Sequence, residues 1–204
     1  MRLKICTLIS ILATMCLSTF SLQAAPILLF STSNQLTGAT GVEVNGQLYD
    51  VEFKDGTCFD LFNGCYEGTD SFFWKTSADA ETASLSLLDQ VFTDATGALL
   101  DSEPHRILGC ETTISCFAIT PFVRYFLHNA VSGVSAFNSH VESGDGTVAS
   151  HVDINFDLAA EAGQTWAVWS SRSTISEPPL ALLMFICLLS MLLMRNTRQG
   201  SDLS

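Results

Sequence analysis

Residues 42–49 (VEVNGQLY) alternate apolar and polar side chains on both sides of an Asn-Gly pair. Asn and Gly tolerate the positive φ angles that a two-residue hairpin turn requires, so this stretch predicts two antiparallel strands. The alternation continues through Val51 and Phe53 to Asp55-Gly56, which is a second turn signal. The sequence therefore predicts a three-stranded antiparallel meander over about residues 40–61, against which the rest of the domain packs.

Downstream of the meander, the spacing of apolar residues changes from two to three and four. The residues at this helical spacing are Ala80, Ala83, Leu87, Leu88, Val91 and Phe92. They predict one amphipathic helix over about residues 78–93, with Ser77 or Asp79 as its N-cap and Gly97 beyond its end. We expect its apolar stripe to pack on the sheet.

The remainder of the domain is rich in strand patterns. Residues 101–119 carry a proline, a glycine and two cysteines, and they predict a pinned loop. Further strands are predicted at about residues 122–128, 134–141, 147–156 and 165–170, with a short helix as the alternative for the first of them. Together these elements predict an α+β fold, in which a mostly antiparallel β-sheet carries one principal helix.

The N-terminus has the composition of an export signal. Arg2 and Lys4 precede an apolar run over residues 5–20, and small residues follow up to Ala24 and Ala25. This order is typical of a signal peptide, so we expect signal peptidase to remove residues 1–24 by cutting between Ala24 and Ala25. A retained anchor is the alternative, but the apolar run is short for a membrane span.

Export decides how the four cysteines of the domain, Cys58, Cys65, Cys110 and Cys116, are interpreted. An even number of cysteines in an oxidising compartment favours disulfides, and pairing within each close pair is favoured among the three connectivities. A zinc site is the alternative, although the spacings differ from the usual C-x2-C. Residues 25–172 are therefore predicted to be an extracytoplasmic domain with disulfide bonds.

The domain is strongly acidic, because residues 25–176 carry 19 Asp and Glu against 5 Lys and Arg. Such a surface repels polyphosphate, which argues against nucleic acid as a partner. We interpret the charge as a source of solubility. Calcium at Asp145, Asp153 and Asp157 is a weaker alternative, since the usual calcium-loop pattern is absent; no other cofactor and no metal site is predicted.

No catalytic residues are assigned, because the sequence lacks close histidine pairs and a nucleophile-elbow motif, and the prediction is a protein that is not an enzyme. His140, His151 and Asp153 would form a set only if adjacent strands brought them together. A secreted hydrolase that uses His140 and His151 is thus an alternative function. Trp166 and Trp169 are either an exposed pair for carbohydrate or a membrane interface, or buried residues of the last strand.

The C-terminal segment joins a proline-bearing motif, an apolar run and a basic end. Ser176, Glu177 and Pro178 precede the run over residues 180–194, which as a helix spans about 22 Å against roughly 30 Å of bilayer hydrocarbon. Arg195 and Arg198 form a basic stop, which places the tail in the cytoplasm and the domain outside. A permanent single-pass anchor is the alternative to a temporary one.

This order resembles the PEP-CTERM sorting signal of Gram-negative bacteria, with the motif present as Ser176-Glu177-Pro178 and lacking the first Pro. The resemblance implies that residues 173–198 are a sorting signal followed by a tail over 199–204. It implies that an exosortase recognises the motif and cuts near it. It also implies a precursor held in the inner membrane by its C-terminal helix, and a product at the cell surface or outside, with exopolysaccharide as a candidate partner.

A second resemblance covers residues 38–51, 55–58 and 87–92, which are similar to a recurrent ectodomain type among proteins with this signal. That type implies no particular activity. The sequence therefore predicts an exported surface or extracellular-matrix protein with a structural or binding role.

Overall fold

The computed structural model describes residues 25–67, 72–95, 97–110, 114–125, 128–141 and 144–172. All of these belong to the first of two compact units, Met1–Arg172. The strands are β1 (Ile27–Phe30), β2 (Leu36–Val44), β3 (Gln47–Lys54), β4 (Ser115–Tyr125), β5 (Ala130–Ser139), β6 (Gly146–Asp153) and β7 (Gln164–Ser171). The helices are α1 (Cys58–Leu61), α2 (Gly64–Glu67) and α3 (Ser77–Gln90), with 3-10 turns at Pro104–Arg106 and Leu158–Ala160.

The seven strands form one mixed sheet in the order β1-β2-β3-β7-β4-β5-β6. The predicted α+β class, rich in strands and with one principal helix, is confirmed. The predicted signal peptide and sorting segment lie outside the described residues. Ala25, the residue after the predicted cut, is described and is exposed.

The Asn-Gly hairpin forms as predicted, and the third strand of the meander does not. Asn45 and Gly46 have φ angles of 51° and 78°, and they join β2 to β3 with Val44 opposite Gln47. After β3 the chain turns into α1, because Thr57 and Asp60 form a capping box that satisfies backbone N–H groups at the start of a helix. The third strand of this antiparallel group is instead β1, which pairs with β2.

Two other predicted elements differ in their bounds. The loop expected over residues 101–119 is a strand from Ser115 onward, so Cys116 lies within β4, and the short-helix alternative for residues 122–128 is wrong for Phe122 to Tyr125. The N-cap of α3 is Thr76, whose hydroxyl accepts a hydrogen bond of 3.1 Å from the backbone N–H of Asp79. Thr76 has the extended backbone that a cap requires, whereas Ser77 and Asp79 are already helical.

Strand β7 joins the two halves of the sheet, antiparallel to β3 and parallel to β4. The parallel register covers three pairs and ends at Ile119 and Trp166. The backbone N–H of Phe117 donates to the carbonyl of Gly163 over 2.9 Å, so the N–H groups of residues 119 and 121 face the same way. Residue 121 is Pro121, which has no N–H to donate, and this explains why the parallel pairing stops there.

The two faces of the sheet are covered differently. We call the face covered by α3 the helix face; its buried residues include Val42, Val51, Phe53, Trp74, Ala80, Ala83, Leu87, Phe92, Cys110, Cys116, Ala118, Val134, Ala136, Ala167 and Trp169. We call the opposite side the loop face; its buried residues are Cys58, Cys65, Phe72, Ile119, Val131, Val152, Ile154, Leu158 and Trp166. Consecutive residues of β7 alternate between the two faces, as the pleat of a strand requires.

Candidate functional site

A cleft opens where β7 and β4 part, and we call it the split-sheet cleft. Its volume is about 250 Å³. The lining residues are Leu61, Phe62, Asn63, Phe73, Trp74, Pro121, Ala167, Val168 and Trp169. These come from both faces of the sheet, so the cleft lies at the seam between the helix face and the loop face.

Aromatic rings form much of the wall and hold one another in place. The Trp74 ring meets those of Tyr49, Phe73 and Trp169 edge to face, with ring centroids 5.1, 5.0 and 5.7 Å apart. Such edge-to-face pairs add about 0.5–1.5 kcal/mol each beyond the area they bury. Phe73 is the most exposed of these lining rings, at 39 % of its surface. These ring contacts therefore fix the positions of the aromatic side chains that line the cleft.

Trp166 and Trp169 are buried, so an exposed tryptophan pair on the last strand is excluded and the alternative of a buried pair is correct. The indole N–H of Trp166 donates to the carbonyl of Gly56 over 3.0 Å, and that of Trp169 donates to the Thr120 hydroxyl over 3.1 Å. Both rings are buried because β7 is central and both of its faces are covered. Each indole N–H is satisfied by its own hydrogen bond.

Trp74 differs from the other two tryptophans. Its side chain is 9 % exposed, and its indole nitrogen is buried with no hydrogen-bond partner among the described residues. A buried donor left without an acceptor costs about 1–3 kcal/mol. Since most buried polar groups in folded proteins are paired, this buried N–H is an exception within the described part of the chain.

One wall of the split-sheet cleft is positioned by a disulfide. The structure joins Cys58 to Cys65, with their Cα atoms 6.0 Å apart, and the lining residues Leu61, Phe62 and Asn63 lie between them. The guanidinium of Arg124 donates to the backbone carbonyl of Cys65 and fixes the end of this loop to β4. The loop is thus tied at both ends, which a segment with two helices of four residues needs in order to be ordered.

The second disulfide joins Cys110 to Cys116, with Cα atoms 5.3 Å apart, so both bonds lie within the close pairs that the spacing favours. All four cysteine side chains are fully buried. The alternative of a zinc site formed by these four cysteines is therefore wrong.

The three aspartates considered for calcium are not brought together. Asp157 caps the 3-10 turn at Leu158–Ala160, and Asp153 accepts a hydrogen bond from the N–H of Asn155 in the turn after β6. Asp145 lies instead beside Asp101, at the other end of β6. No group of three or more acidic, histidine or cysteine side chains in the described ranges is arranged to hold a metal ion.

Asp101 and Asp145 form an acidic pair near the C-terminal end of α3. Burial, the nearby Asp145 carboxylate and, more weakly, Asp94 raise the pKa of Asp101 to about 6. The Ser102 hydroxyl donates to Asp94, and this hydrogen bond lowers the pKa of Asp94. The pKa values of Asp94 and Asp101 thus shift in opposite directions, because hydrogen bonds stabilise the Asp94 anion, whereas burial and a second carboxylate disfavour the Asp101 anion.

The histidines considered for a hydrolase are separated. His151 Nδ1 lies 2.7 Å from the hydroxyl of Ser132, its partner across β5 and β6, whereas His140 Nδ1 lies 3.2 Å from the carbonyl of Ile114. His140 lies eight residues after Ser132, just beyond the end of β5, a distance of about 25 Å at the usual rise of a strand. The Ser132 side chain is 2 % exposed, so this hydroxyl is not presented to a substrate.

No family model, curated protein or solved structure matches this chain. Within the described ranges, no helix has the length and apolar character to cross a membrane. Both apolar segments that the sequence predicts for targeting lie outside these ranges, together with Ala24, Ser176, Glu177, Pro178, Arg195 and Arg198.

The split-sheet cleft is the site that the sequence did not predict. Its residues come from four separate stretches of the chain, around residues 62, 74, 121 and 168. Pro121 was the available clue, since a proline inside a strand interrupts a ladder of hydrogen bonds. Which neighbouring strand it interrupts depends on the strand order, and the sequence pattern did not supply that order.

Proposed function

We propose that this protein is an exported cell-surface or extracellular-matrix protein with a structural or binding role, and that an exosortase processes its C-terminal signal. The observation that carries the proposal is the presence of two buried disulfides between cysteines close in sequence, Cys58–Cys65 and Cys110–Cys116. Disulfides persist in oxidising compartments and are rare in the cytosol, so they support export.

The position of the sorting motif relative to the fold also supports processing. The last described strand ends at Ser171, and Ser176 follows five residues later in the sequence. A cut near Ser176 to Pro178 would therefore leave the seven strands and both disulfides intact. In this proposal signal peptidase removes residues 1–24, the C-terminal helix holds the precursor in the inner membrane, and the exosortase releases the domain to the surface, where exopolysaccharide is the candidate partner.

Mass spectrometry of the mature protein from the native host tests the proposal. We expect an N-terminus at Ala25, a C-terminus near residues 176–178, and a mass lower by four hydrogens than that of the reduced chain. Glu177→Ala should leave the C-terminal segment uncut, because it removes the carboxylate of the motif. Glu161→Ala, an exposed carboxylate of the domain, is the matched control and should be cut like the wild type.

Deletion of the host exosortase distinguishes a temporary from a permanent anchor. The proposal expects uncut protein to accumulate in the membrane of the deletion strain. Surface material that still contains residues 180–198, with or without the exosortase, would identify a plain single-pass membrane protein instead.

A further inference from the structure

The two edge strands of the sheet differ in how well they can accept a further strand. Strand β1 has four residues, follows Pro26 and has an irregular register between Leu29 and Phe30. Short length, proline and a bulge are common means by which proteins prevent an edge strand from pairing further. Strand β6 has none of these features, because its eight residues pair with β5 without a break. The outer side of β6 is therefore the edge at which a strand can be added.

The register with β5 identifies the backbone groups of β6 that point outward. The N–H of Ile154 donates to the carbonyl of Asn129 over 3.1 Å, and this pair continues the register of the two strands. Hydrogen-bonded pairs alternate along an antiparallel ladder, so the N–H and C=O groups of Thr147, Ala149 and His151 point away from β5. Among the described residues, nothing bonds to these groups. Ala149 and His151 are exposed and Thr147 is partly exposed, and we call these three residues the β6 edge.

The two sides of the β6 edge differ in their chemistry. Val152 belongs to the loop face, so Val148 lies on the same side of the strand, and it is 44 % exposed. Thr147 lies on the side of α3, where its hydroxyl donates to the Glu81 carboxylate over 3.4 Å. Asp153 shares the alternation of Thr147 and is also exposed. A strand added at this edge would therefore have an apolar surface on one side and carboxylates on the other.

Charge indicates which kind of strand fits. Strands β5 and β6 and helix α3 contain no Lys or Arg, whereas α3 and β6 carry Asp79, Glu81, Asp89 and Asp153. Basic side chains on an added strand would meet these carboxylates, and acidic ones would be repelled. A second copy of this chain would bring a net charge of the same sign, so it is disfavoured as the occupant.

We propose that the β6 edge binds an extended segment of a partner protein in which basic and apolar β-branched residues alternate. The segment pairs antiparallel to β6, with its basic side chains on the α3 side and its apolar side chains beside Val148. In such strand addition, main-chain hydrogen bonds give affinity and the alternating side chains give specificity. This proposal extends the proposed binding role by naming the class of partner, and it does not depend on exosortase processing.

Fluorescence anisotropy of a labelled peptide tests the proposal on the full chain, in a nonionic detergent at about 0.15 M salt. The probe is a peptide of about eight residues in which lysine and valine alternate, a length matched to β6. The comparison peptides are an alternating glutamate and valine peptide, and one with the lysines and valines in two separate blocks. We expect the alternating lysine and valine peptide to bind more tightly than either.

N-methylated versions of the probe test the backbone pairing itself. In an antiparallel pair, the residues opposite the β6 edge carry their side chains on the α3 side, so the lysine N–H groups point toward β6. We expect methylation of the lysine nitrogens to abolish binding. Methylation of the valine nitrogens, which point outward, is the matched control and should change the affinity by less than about twofold.

Ala149→Pro should weaken binding of the probe by at least about tenfold, since it removes an outward N–H and places a ring where the partner's carbonyl would lie. This N–H makes no bond to β5, and proline is tolerated on edge strands whose N–H faces solvent, so the fold should persist. Ala149→Ser is the matched control, because it retains the N–H and should bind like the wild type. Near-ultraviolet circular dichroism checks the fold of each variant.

Glu81→Gln combined with Asp153→Asn tests the charge selectivity. This pair should weaken binding of the lysine and valine peptide by about two- to tenfold, the effect of two exposed ion pairs. Glu52→Gln with Glu161→Gln is the control for net charge. It removes two exposed carboxylates, one on β3 and one before β7, and should keep the wild-type affinity.

Hydrogen exchange locates the bound peptide. Binding should slow the exchange of the amides of Thr147, Ala149 and His151 and leave those of β1 unchanged. The proposal is overturned by no binding of the probe, by equal binding of a comparison peptide, by loss of binding on valine methylation, or by wild-type affinity in Ala149→Pro. Protection of the same amides at high protein concentration without peptide would also overturn it, because a second copy would then occupy the edge. C-terminal cleavage enters none of these measurements, so failure of one proposal leaves the other standing.

Discussion

The two faces of the sheet are covered by different means. The helix face is covered by one helix of 14 residues, whose small buried side chains Ala80, Ala83 and Ser84 let it lie close to the strands. The loop face is covered by α1 and α2, of four residues each, and by large rings such as Phe72 and Trp166. Helices this short do not persist alone in water.

This difference in helix length indicates which face depends on a disulfide bond for its order. On the helix face, α3 is fixed by its apolar stripe and by the Ser84 hydroxyl, which donates to the carbonyl of Val134 over 2.9 Å. On the loop face, the Cys58–Cys65 bond holds two short helices against Ile119 and Trp166. We infer that packing maintains the first face and that the disulfide maintains the order of the second.

Leu87→Ala should break the helix face and have the largest effect. Leu87 is fully buried in α3, so truncation leaves a cavity and should lower the free energy of unfolding by about 2–5 kcal/mol. Urea denaturation measures this loss. Leu85→Ala, an exposed leucine on the same helix, is the control and should change the free energy by less than about 0.5 kcal/mol. Equal losses in both variants would contradict the packing described for α3.

Cys58→Ser combined with Cys65→Ser should loosen the loop face at an intermediate cost. Opening a loop of this size lowers the free energy of unfolding by about 2.5 kcal/mol on the chain-entropy estimate. Hydrogen exchange should show amides of residues 58–67 losing protection while those of α3 keep it.

The other disulfide supplies the matched comparison. Cys110→Ser with Cys116→Ser opens a loop of nearly the same length and should cost a similar amount. Because Cys110 and Cys116 lie in the helix-face core, protection at residues 58–67 should persist in this variant. Loss of protection there in both variants would show that the two faces are not independent.

Asp101→Asn should have the smallest effect, and it should depend on pH. The pKa of Asp101 is raised to about 6 in the folded state, from an ordinary value of 3.8, so the folded protein binds the proton more tightly than the unfolded chain. Stability is therefore lost as pH rises through about 4 to 6, and Asn removes this loss. The gain at pH 8 should be below about 1 kcal/mol, because solvent screens a partly exposed carboxyl.

Thermal melts of the wild type and of Asp101→Asn at pH 4 and pH 8 measure this difference. Asp89→Asn, which removes an exposed negative charge from the same helix end, controls for net charge. If both variants gain equally at pH 8, the effect comes from overall charge and not from the Asp101–Asp145 pair.

The sequence predicted the local parts of this fold well. The hairpin at Asn45-Gly46 forms because its turn chemistry lies within two residues, and α3 forms because its stripe recurs over one continuous stretch. Strand β1 was missed because its residues 27–30 (ILLF) do not alternate and follow directly on the apolar signal segment. Pattern alone does not separate a strand from such a segment.

The non-local parts were not predictable by the same reasoning. That β7 enters between β3 and β4 depends on which strands pair, and the alternation of a strand is the same whichever neighbour it takes. The split-sheet cleft depends on that strand pairing. The Asp101–Asp145 pair depends on how two loops pack near the end of α3. The disulfide pairing, in contrast, was predicted from the sequence, because cysteines six or seven residues apart can meet in many different folds.

The central position of β7 has a consequence for the order of folding during export. It is the last strand of the described chain, yet it carries every pairing between β3 and β4. A polypeptide that crosses a membrane from its N-terminus presents β1 to β3 and β4 to β6 first, as two sheets with open edges. The two sheets can join only when Gln164–Ser171 emerges and pairs with both β3 and β4. In the proposed export, the domain therefore completes its fold only after its final strand has crossed the membrane.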